Sequence, residues 1–321
     1  MVDIYVVIPC YEVSKQIISV IESVLKQSAI CNIIVVDDAC PETTGKLVKE
    51  HFNNHPQITV LTHEKNQGVG GAMCTGYQYA FKNGADIVVK MDGDGQMNPE
   101  HISSLINPIV KGKCDYTKGN RFYYPRHLKN MPKVRVFGNS ALSLISKFAS
   151  GYWTIMDPTN GYTALHSSAY SQLELNELSK GYFFESDMLY QLGNAQAVVR
   201  DIAIPAIYAD EESNLSITRV LIRFPGLYFK RFIKRIILRY FIREFNFASL
   251  EILFGGVLLI SGLVFGIYKW IGSYLVGIST PAGTVMIVGI LIILGFQLLL
   301  SALNYDVNHE PSIPLSSQNI E

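Results

Sequence analysis

Residues 87–96 read Ile-Val-Val-Lys-Met-Asp-Gly-Asp-Gly-Gln, an apolar run that ends in two carboxylates and an amide. The apolar half is typical of a buried strand, and the acidic half begins where that strand would end. A D-x-D pair alone is common in solvated turns, but Gln96 and the preceding strand favour a binding site. Asp92 and Asp94 can meet a hard divalent cation with oxygen ligands, so the run predicts a Mg²⁺ or Mn²⁺ site.

Similar apolar runs precede this one and alternate with helical patterns. The strand-like runs lie at 4–8, 33–36 and 58–61, and the amphipathic patterns lie at 15–26, 43–52 and 69–81. This alternation predicts an α/β domain with a mostly parallel sheet. Open sheets of this kind bind ligands beyond the carboxyl ends of their strands. We therefore expect the polar clusters at 9–12, 37–38 and 92–96 to share one mouth.

Two long apolar segments near the C-terminus set the chain apart from soluble proteins. Only 17% of the 321 residues are charged, whereas soluble domains contain about 25%. Residues 250–271 carry charge only near their ends, and residues 284–303 carry none. The alternative is a pair of buried core helices, which seldom lack a polar stripe over such a length. Since about 20 residues cross a bilayer, we predict a transmembrane hairpin.

The segment before the first apolar run is strongly basic. Residues 219–243 hold eight Lys or Arg and no Asp or Glu, although the whole chain has 27 of each sign. We expect Pro225-Gly226 to break this segment, and the part that follows to form an amphipathic helix in the membrane interface. Nucleic-acid binding is the rival explanation, but the many Phe and Ile residues favour lipid. The positive-inside rule then places both flanks of the hairpin in the cytoplasm.

The cysteines support a cytoplasmic location. All five lie within the first 114 residues and form neither a C-x-x-C pair nor a zinc spacing, so we interpret them as reduced thiols. The N-terminus lacks the pattern of a signal peptide. We therefore expect the first domain to stay in the cytoplasm.

Two further motifs precede residue 87. Asp37-Asp38 ends a strand, where a carboxylate can bind a nucleoside; the alternative for one of the two is capping the helix that follows. Residues 66–71, Asn-Gln-Gly-Val-Gly-Gly, open a helix but lack the order of a dinucleotide-binding or Walker loop. We expect the backbone of this segment to approach a ligand closely, and we do not expect it to bind a dinucleotide.

In combination, these motifs resemble the family 2 glycosyltransferases of GT-A fold, and specifically the dolichol- and undecaprenyl-phosphate sugar synthases. The similarity covers roughly residues 2–215. The family motif V-V-D-D corresponds to residues 35–38, N-x-G-x-G to 66–70 and D-x-D-x-Q to 92–96. The family's V-I-P-x-Y-N-E appears at 7–13 with Glu12 where asparagine is usual and Val13 where glutamate is usual.

The resemblance continues beyond residue 96. The family's G-S-R appears as Gly119-Asn120-Arg121, a second arginine aligns with Arg135, and D-P-x-S-G-Y appears at 157–162 with Asn160 in place of serine. Phe183-Phe184-Glu185 resembles the segment that closes the sugar pocket. Residues 210–215 resemble the loop before the membrane helices, and we assign them no role. In the family the two arginines are implicated in holding phosphate, and the aspartate lines the reaction centre.

The resemblance implies a site and a division of the chain. The implied catalytic residues are Asp92, Asp94, Asp157, Arg121 and Arg135; the nucleotide-binding residues are Pro9, Tyr11, Glu12, Asp38, Asn66, Gly68 and Asp92; and the metal ligands are Asp94 and Gln96, for Mg²⁺ or Mn²⁺. The implied division is a GT-A catalytic domain at 1–216, basic interfacial helices at 217–248, a transmembrane hairpin at 249–305 and a cytoplasmic tail at 306–321.

The implied function is an inverting, metal-dependent transfer of a sugar from a nucleoside diphosphate to a membrane polyprenyl phosphate. A UDP-hexose is preferred over GDP-mannose as donor. The second pKa of a phosphate monoester is ~6, so the acceptor needs no general base. We expect an integral membrane protein of a bacterial inner membrane, with its catalytic domain on the cytoplasmic face. Its partners would be the two substrates, membrane lipids and, through Gln297, a second copy, but no nucleic acid.

Two alternatives remain open at this stage. A processive polysaccharide synthase of the same fold would carry a Q-x-x-R-W motif, and neither Trp153 nor Trp270 follows an arginine. A non-enzymatic membrane scaffold would not need Asp92, Asp94 and Gln96. Metal-dependent nucleotide binding would therefore discriminate between an enzyme and a scaffold.

Overall fold

The computed structural model describes residues 2–53, 55–124, 133–205 and 217–318, without the side chains of 133–135 and 217–222. Arg135 and residues 210–215 therefore lie outside the described side chains. The strands are β1 (Ile4–Cys10), β2 (Asn32–Asp37), β3 (Ile58–Thr62), β4 (Ile87–Lys90), β5 (Tyr116–Asn120), β6 (Thr163–His166) and β7 (Val199–Ala203). The helices are α1 (Ile17–Leu25), α2 (Thr44–Phe52), α3 (Val69–Lys82), α4 (Ile102–Val110), α5 (Lys133–Ser150), α6 (Ser167–Tyr170), α7 (Phe184–Asn194), α8 (Ile217–Ile236), α9 (Phe247–Val276), α10 (Ala282–Asn308) and α11 (Leu315–Gln318).

The described strands form one sheet in the order β3-β2-β1-β4-β6-β5-β7. β1 to β4 are parallel, β6 is antiparallel to both β4 and β5, and β7 is parallel to β5. The carboxyl ends of β1, β2, β4 and β5 therefore lie at the same edge as the amino end of β6. The predicted mostly parallel α/β sheet is confirmed, including its first four strands and first three helices.

The sheet is buried on both faces because its central strands alternate between two apolar layers. Val6 and Ile8 of β1 pack in one layer, with Ile17 of α1, and Val7 packs in the other, with Tyr77 of α3. All these side chains are buried. A strand covered on both faces needs a nearly continuous apolar run, as parallel sheets do. This double covering leaves the strand ends as the positions where polar side chains can gather.

The chain divides into two compact units, residues Met1–Phe232 with Pro311–Glu321, and residues Ile233–Glu310. In the first unit the segment after residue 310 packs against the sheet-containing part of the chain. The buried carboxylate of Asp115 accepts hydrogen bonds from the backbone N–H groups of Leu315 (3.0 Å), Ser316 (3.1 Å) and Val198 (2.8 Å). The C-terminal segment is thus tied to the sheet at the amino end of β5.

The second unit contains the two predicted apolar helices, α9 and α10. Both are long and apolar enough to cross a bilayer, and most of their residues are not buried within the structure. The capping box of Asn246 and Ser249 begins α9, and Gly277 in the left-handed conformation ends it. The helices confirm the predicted segments; that they cross a membrane stays a prediction.

A buried ion-pair network also lies in the second unit. Arg235 makes two hydrogen bonds to Asp306, of 2.8 and 2.9 Å, and the Tyr240 hydroxyl donates a third to the same carboxylate at 2.6 Å. Arg239 donates to the backbone carbonyl of His309 at 2.6 Å. The network joins the end of α10 to a π-helical segment at Ile237–Arg243 and to the end of α8.

The predicted break at Pro225-Gly226 is wrong. α8 continues through both residues, and the regular α-helix ends only at Ile236, where the π-helical segment begins. Proline removes one backbone hydrogen bond and disfavours a helix interior. Here Phe224 and Tyr228, on either side of the proline, are buried against Phe183 and Ala149. This packing holds the helix together across the proline.

The basic segment is also less available to lipid than its charge suggests. Arg231 pairs with Asp187, Arg235 pairs with Asp306, and the guanidinium of Arg239 lies 3.5 Å from Asp306. At least three of the eight basic side chains, all of them among the described residues, are therefore engaged within the protein.

We expect Asp306→Asn to lower the free energy of unfolding by about 3–5 kcal/mol, because it leaves the buried Arg235 guanidinium without its carboxylate. The measurement is thermal unfolding of the full chain in detergent. The matched control is Glu50→Gln, which breaks the exposed Lys46–Glu50 pair of 3.7 Å and should leave the melting temperature unchanged. Equal melting temperatures for the two variants would contradict this account.

Candidate active site

A buried lysine organises the carboxyl end of β4. Lys90 is the last residue of that strand, and only 1% of its side chain is exposed. Its Nζ lies 2.7 Å from Oδ1 of Asp92 and 3.2 Å from Oε1 of Glu185 in α7. Burial alone would lower the pKa of Lys90, but the Asp92 and Glu185 carboxylates outweigh burial and raise it. The lysine is therefore charged, and it holds one oxygen of Asp92 in place.

Gly161 leaves room for the second oxygen of Asp92. A Cβ atom at this position would lie 2.8 Å from Oδ2 of Asp92 and would clash with Nζ of Lys90. The Lys90–Asp92 pair and residues 157–162 can therefore approach each other only because residue 161 has no side chain. This close approach explains the glycine of the D-P-x-S-G-Y motif.

Asp94 and Gln96 lie in the turn that follows. The backbone N–H of Gln96 donates to Oδ1 of Asp94 at 3.0 Å, and Gly95 between them has a φ of +77°. The described residues contain no cluster of three or more His, Cys, Asp or Glu side chains arranged around one metal position. Magnesium, however, is usually bound through one or two carboxylates and the phosphates of a substrate. The oxygen donors of Asp92, Asp94 and Gln96 fit a cation whose shell a diphosphate completes.

Arg121 and Asp157 form the second charged centre of the site. Arg121 follows β5, and its Nε and Nη2 donate to the fully buried Asp157 at 2.7 and 2.9 Å. About a third of the arginine side chain is exposed. Two parallel hydrogen bonds fix the plane of the guanidinium as well as its position. Asp157 therefore sets the direction in which Arg121 can bind an anion.

Residues 157–162 connect the two centres. Asp157 at one end holds Arg121, and Gly161 near the other end lies against Asp92. The backbone carbonyl of Asn160 accepts a hydrogen bond from the buried Lys118 of β5. Burial lowers the pKa of Lys118 to about 8. The hydrogen bond from Lys118 thus fixes the segment to the sheet between Asp157 and Gly161.

A half-buried aspartate supports the same segment from β7. Oδ2 of Asp201 accepts hydrogen bonds from the side chain of Asn120 at 2.7 Å and from the backbone N–H of Met156 at 2.9 Å. Burial raises the pKa of Asp201 to about 6. The asparagine at position 120, where the family usually has serine, thereby links β5 to β7.

The two aspartates at the end of β2 have different partners. Asp37 accepts from the backbone N–H groups of Cys40 at 2.8 Å and of Gly45, in the first turn of α2, at 2.7 Å. Of the two aspartates, Asp37 therefore caps the following helix. Asp38 is also buried and accepts from the N–H groups of Gln67 (2.8 Å) and Gly68 (2.7 Å) and contacts His63 at 2.7 Å. A nucleoside contact from Asp38 stays a prediction.

The glycine-rich segment packs against the protein itself. Gly68 has a φ of +82°, and a Cβ atom there would clash with the carbonyl of Lys180. The N–H of Gly70 donates to that same carbonyl at 2.9 Å, and Asn66 accepts from the N–H of Gly68 at 3.0 Å. These glycines allow α3 to approach residues 179–181. The expected close approach of this backbone therefore involves another segment of the chain, and a ligand contact stays a prediction.

The end of β1 also lies at this edge. Pro9 is half-buried, Tyr11 is exposed, and Glu12 is exposed with a φ of +56°. The N–H of Glu12 donates to Sγ of the buried Cys40 at 3.1 Å. Glu12 occupies the position where the family usually has asparagine, and its side chain is exposed.

The sequence motifs assign no role to the buried Lys90 and Lys118, and they include Glu185 only by resemblance. Lys90 ends β4 and Lys118 lies within β5, and every residue of both strands is buried. A lysine is seldom fully buried unless it is paired, so the position of Lys90 in a predicted buried strand is the signal that could have identified it.

Comparison with known proteins gives a family and two informative relatives. The sequence model of glycosyl transferase family 2 matches residues 5–174. A UDP-N-acetylglucosamine–dolichyl-phosphate N-acetylglucosaminyltransferase of Methanococcus voltae is 34% identical over 70% of this chain and 93% of its own length. A polyprenol monophosphomannose synthase of Mycolicibacterium smegmatis is 28% identical over 66% and 79%.

The solved structures support the fold. Glucosyl-3-phosphoglycerate synthase from Mycobacterium tuberculosis, crystallised with Mg²⁺ and UDP, superposes with a TM-score of 0.55 at 18% identity. The match covers 73% of this chain and 79% of that chain. The same enzyme with Mn²⁺, UDP and phosphoglyceric acid gives 0.54. These likenesses confirm the expected fold class.

We expect Gly161→Ala to lower the free energy of unfolding by about 1–3 kcal/mol, because the added methyl group must displace Asp92 or Lys90. The matched control is Gly226→Ala in α8, where a Cβ would meet no other atom within 4 Å. Thermal unfolding of the two variants side by side makes the measurement. If Gly161→Ala proves as stable as Gly226→Ala, the close approach described above is wrong.

Proposed function

We propose the reaction of this chain on the ground that it belongs to glycosyl transferase family 2. The chain transfers a sugar from a nucleoside diphosphate to the phosphate of a membrane polyprenol. One observation of this structure carries the proposal: the Lys90–Asp92 pair and the Arg121–Asp157 pair lie at one sheet edge, joined by residues 157–162. A reaction between two anionic substrates needs cationic groups for both of them. The names of the Methanococcus and Mycolicibacterium relatives support a lipid acceptor.

The donor in this proposal is a UDP-linked sugar, in the first place a UDP-N-acetylhexosamine. The Methanococcus relative, whose name includes UDP-N-acetylglucosamine, is more similar to this chain than the mannose-transferring relatives of Mycolicibacterium and Micrococcus. The sequence favours a UDP-hexose as donor, and this proposal specifies that its sugar is N-acetylated.

The diphosphate of the donor binds beside Asp92, Asp94 and Gln96. These side chains would hold a Mg²⁺ or Mn²⁺ ion, which when bound neutralises the departing diphosphate as a Lewis acid. Lys90 holds the carboxylate of Asp92 in place through its hydrogen bond of 2.7 Å. The site therefore meets the donor with its carboxylates already oriented, which lowers the cost of reorganisation during the reaction.

The phosphate of the acceptor binds to Arg121, whose guanidinium Asp157 orients. Arg135 is proposed as a second phosphate ligand on the basis of the family motif. The acceptor is mostly dianionic near neutral pH, because its second pKa is ~6, so it attacks without a general base. Attack on the anomeric carbon from the face opposite the diphosphate inverts the configuration. Holding both groups in line supplies the proximity that a bimolecular reaction lacks.

The connectivity of the chain supports a membrane hairpin with both ends on one side. The chain leaves the first unit at Phe232 and rejoins it at Pro311, so residues 233–310 begin and end at the same unit. Two spanning helices satisfy this condition, whereas one would not. We propose that this side is the cytoplasmic face of the membrane, where the positive-inside rule places the basic segment.

We expect Asp94→Ala to lower turnover by about a thousandfold or more, since the stabilisation that a bound cation gives is worth several kcal/mol. Transfer of radiolabelled sugar to polyprenyl phosphate in the presence of Mn²⁺ measures it. Glu22→Ala, which removes an exposed carboxylate of α1, is the control and should retain full activity. Undiminished transfer by Asp94→Ala would show that the metal site has been placed wrongly.

We expect Arg121→Lys to raise the KM for the polyprenyl phosphate about tenfold and to leave the KM for the donor unchanged, because lysine keeps the charge but loses the planar fork. Arg231→Lys is the matched control, since Arg231 makes the same kind of fork with the buried Asp187. It should lower stability and leave both KM values unchanged. A rise confined to the donor KM in Arg121→Lys would reverse the assignment of the two subsites.

A further inference from the structure

The two buried lysines beside the site differ in what balances their charge. Lys90 has the carboxylates of Asp92 and Glu185 at 2.7 and 3.2 Å. Lys118 is 0% exposed, and among the described residues no carboxylate forms an ion pair with it. Its ammonium donates instead to the backbone carbonyl of Asn160. Because a buried charge without a charged partner is costly, a neutral residue of similar size would be less costly to the fold.

The surroundings of Lys118 determine its charge state. In the sheet it lies opposite Asp201 of β7 on one side and opposite Thr163 of β6 on the other. The helix α4, which also packs against β5, contains no titratable side chain. The charged groups that act on the lysine are Glu185 of α7, Asp157, Asp201 and Lys90 of β4. Burial outweighs the attraction of the three carboxylates and lowers the pKa of Lys118 to about 8.

The carbonyl that Lys118 holds belongs to the segment that orients Arg121. The backbone N–H of Asn160 donates to the carbonyl of Asp157 at 3.4 Å and closes a turn over residues 157–160. Asp157 in turn fixes the guanidinium of Arg121 through two hydrogen bonds. A shift of the Asn160 carbonyl therefore moves the carboxylate that sets the direction of Arg121. Strongly perturbed lysines next to such a group are typical of functional sites.

We propose that Lys118 is a positioning residue for the acceptor phosphate: its ammonium holds the turn at 157–160 and so keeps the Arg121–Asp157 pair directed at the anion. The inference rests on the proposed function, since it takes the ligand of Arg121 to be a phosphate. A hydrogen bond from a charged donor is about twice as strong as one from a neutral donor. The bond to Asn160 therefore weakens when Lys118 loses its proton, and affinity for the acceptor falls as the pH rises through about 8.

The phosphate, Arg121 and Asp201 keep their charges in that pH range. A phosphate monoester is dianionic above its second pKa of ~6, and an arginine does not lose its proton in a protein. Asp201, whose pKa burial raises to about 6, has lost its proton below this range. A change in acceptor affinity that disappears when Lys118 is replaced therefore reports the charge of Lys118.

Calorimetric titration of the full chain in detergent with a short-chain prenyl phosphate tests the proposal. We expect the Kd of the unmodified chain to rise about fivefold between about pH 7 and about pH 9.5, as a charge-assisted hydrogen bond becomes a neutral one. Lys118→Gln keeps a donor for Asn160 without a charge, so its Kd should not change with pH and should equal the high-pH value of the unmodified chain. Lys118→Met, which removes the donor as well, should bind at least as weakly as Lys118→Gln at every pH.

Two controls accompany the titration. Lys46→Gln removes a lysine of α2 whose side chain is 73% exposed, and it should show the same pH dependence as the unmodified chain. The Kd for UDP in the presence of Mg²⁺ should be the same in the unmodified chain and in both variants of Lys118, because the proposal assigns the lysine to the acceptor.

Thermal unfolding gives a second readout, with the opposite sign. Lys118 releases its proton at a pH of about 8 in the folded chain and at about 10.4 in an unfolded one. The unfolded chain therefore binds more protons between these values, and the contribution of Lys118 to stability rises with pH. We expect the melting temperature of the unmodified chain, relative to Lys118→Gln, to rise over this range while its affinity for the prenyl phosphate falls. If the charge served stability alone, the melting temperature would not rise.

The results that overturn this inference differ from those that overturn the proposed function. A Kd of the unmodified chain that does not change with pH, or that changes equally in Lys118→Gln, would show that the charge of Lys118 has no part in binding the acceptor. An equal weakening of UDP binding in the Lys118 variants would show a general structural role. An unmodified chain that binds no prenyl phosphate at any pH would refute the acceptor of the proposed function, and this inference with it.

Discussion

The site depends on one buried positive charge. The ammonium of Lys90 lies inside the sheet, where an unpaired charge would be very costly. It is balanced by Asp92, which follows the end of its own strand, and by Glu185 from α7. Because Lys90 needs both carboxylates, it joins the end of β4 to α7, which follows much later in the chain. The same ion pair means that one oxygen of Asp92 is bound to Lys90. The second oxygen lies against Gly161, so the geometry of the carboxylate is determined from two sides.

Residues 157–162 link the Lys90–Asp92 pair to the Arg121–Asp157 pair. The segment enters β6, the antiparallel strand between β4 and β5, so it passes between the ends of the two strands that carry Asp92 and Arg121. Asp157 fixes the guanidinium of Arg121, and the glycine near the other end fits against Asp92. A proline-containing segment with a small residue at the contact suits this position. The spacing of the two centres is thus a consequence of strand order.

The basic residues in the C-terminal third of the chain differ in their surroundings. Arg231, Arg235 and Arg239 face carboxylates and are largely buried, and they hold helices within each unit. Arg223 and Lys230 are exposed and can face lipid. From the sequence alone, all eight basic residues belong to one polycationic segment. The distinction follows from the positions of Asp187 and Asp306, which lie 44 and 71 residues from their partners along the chain.

Local patterns in the sequence predicted the alternating strands and helices, the two apolar helices and the D-x-D turn, because each depends on residues close together in the chain. The family motifs indicated the candidate site residues, and the roles of all of them stay predictions. Tertiary structure alone decided that α8 continues through Pro225, since its own Phe224 and Tyr228 are buried against Ala149 of α5 and Phe183, the residue before α7. It also decided that Lys90 pairs with Glu185, that Asp38 holds the glycine-rich segment, and that Lys118 donates to Asn160. These features depend on contacts between residues that are distant in sequence, and no local periodicity records such contacts.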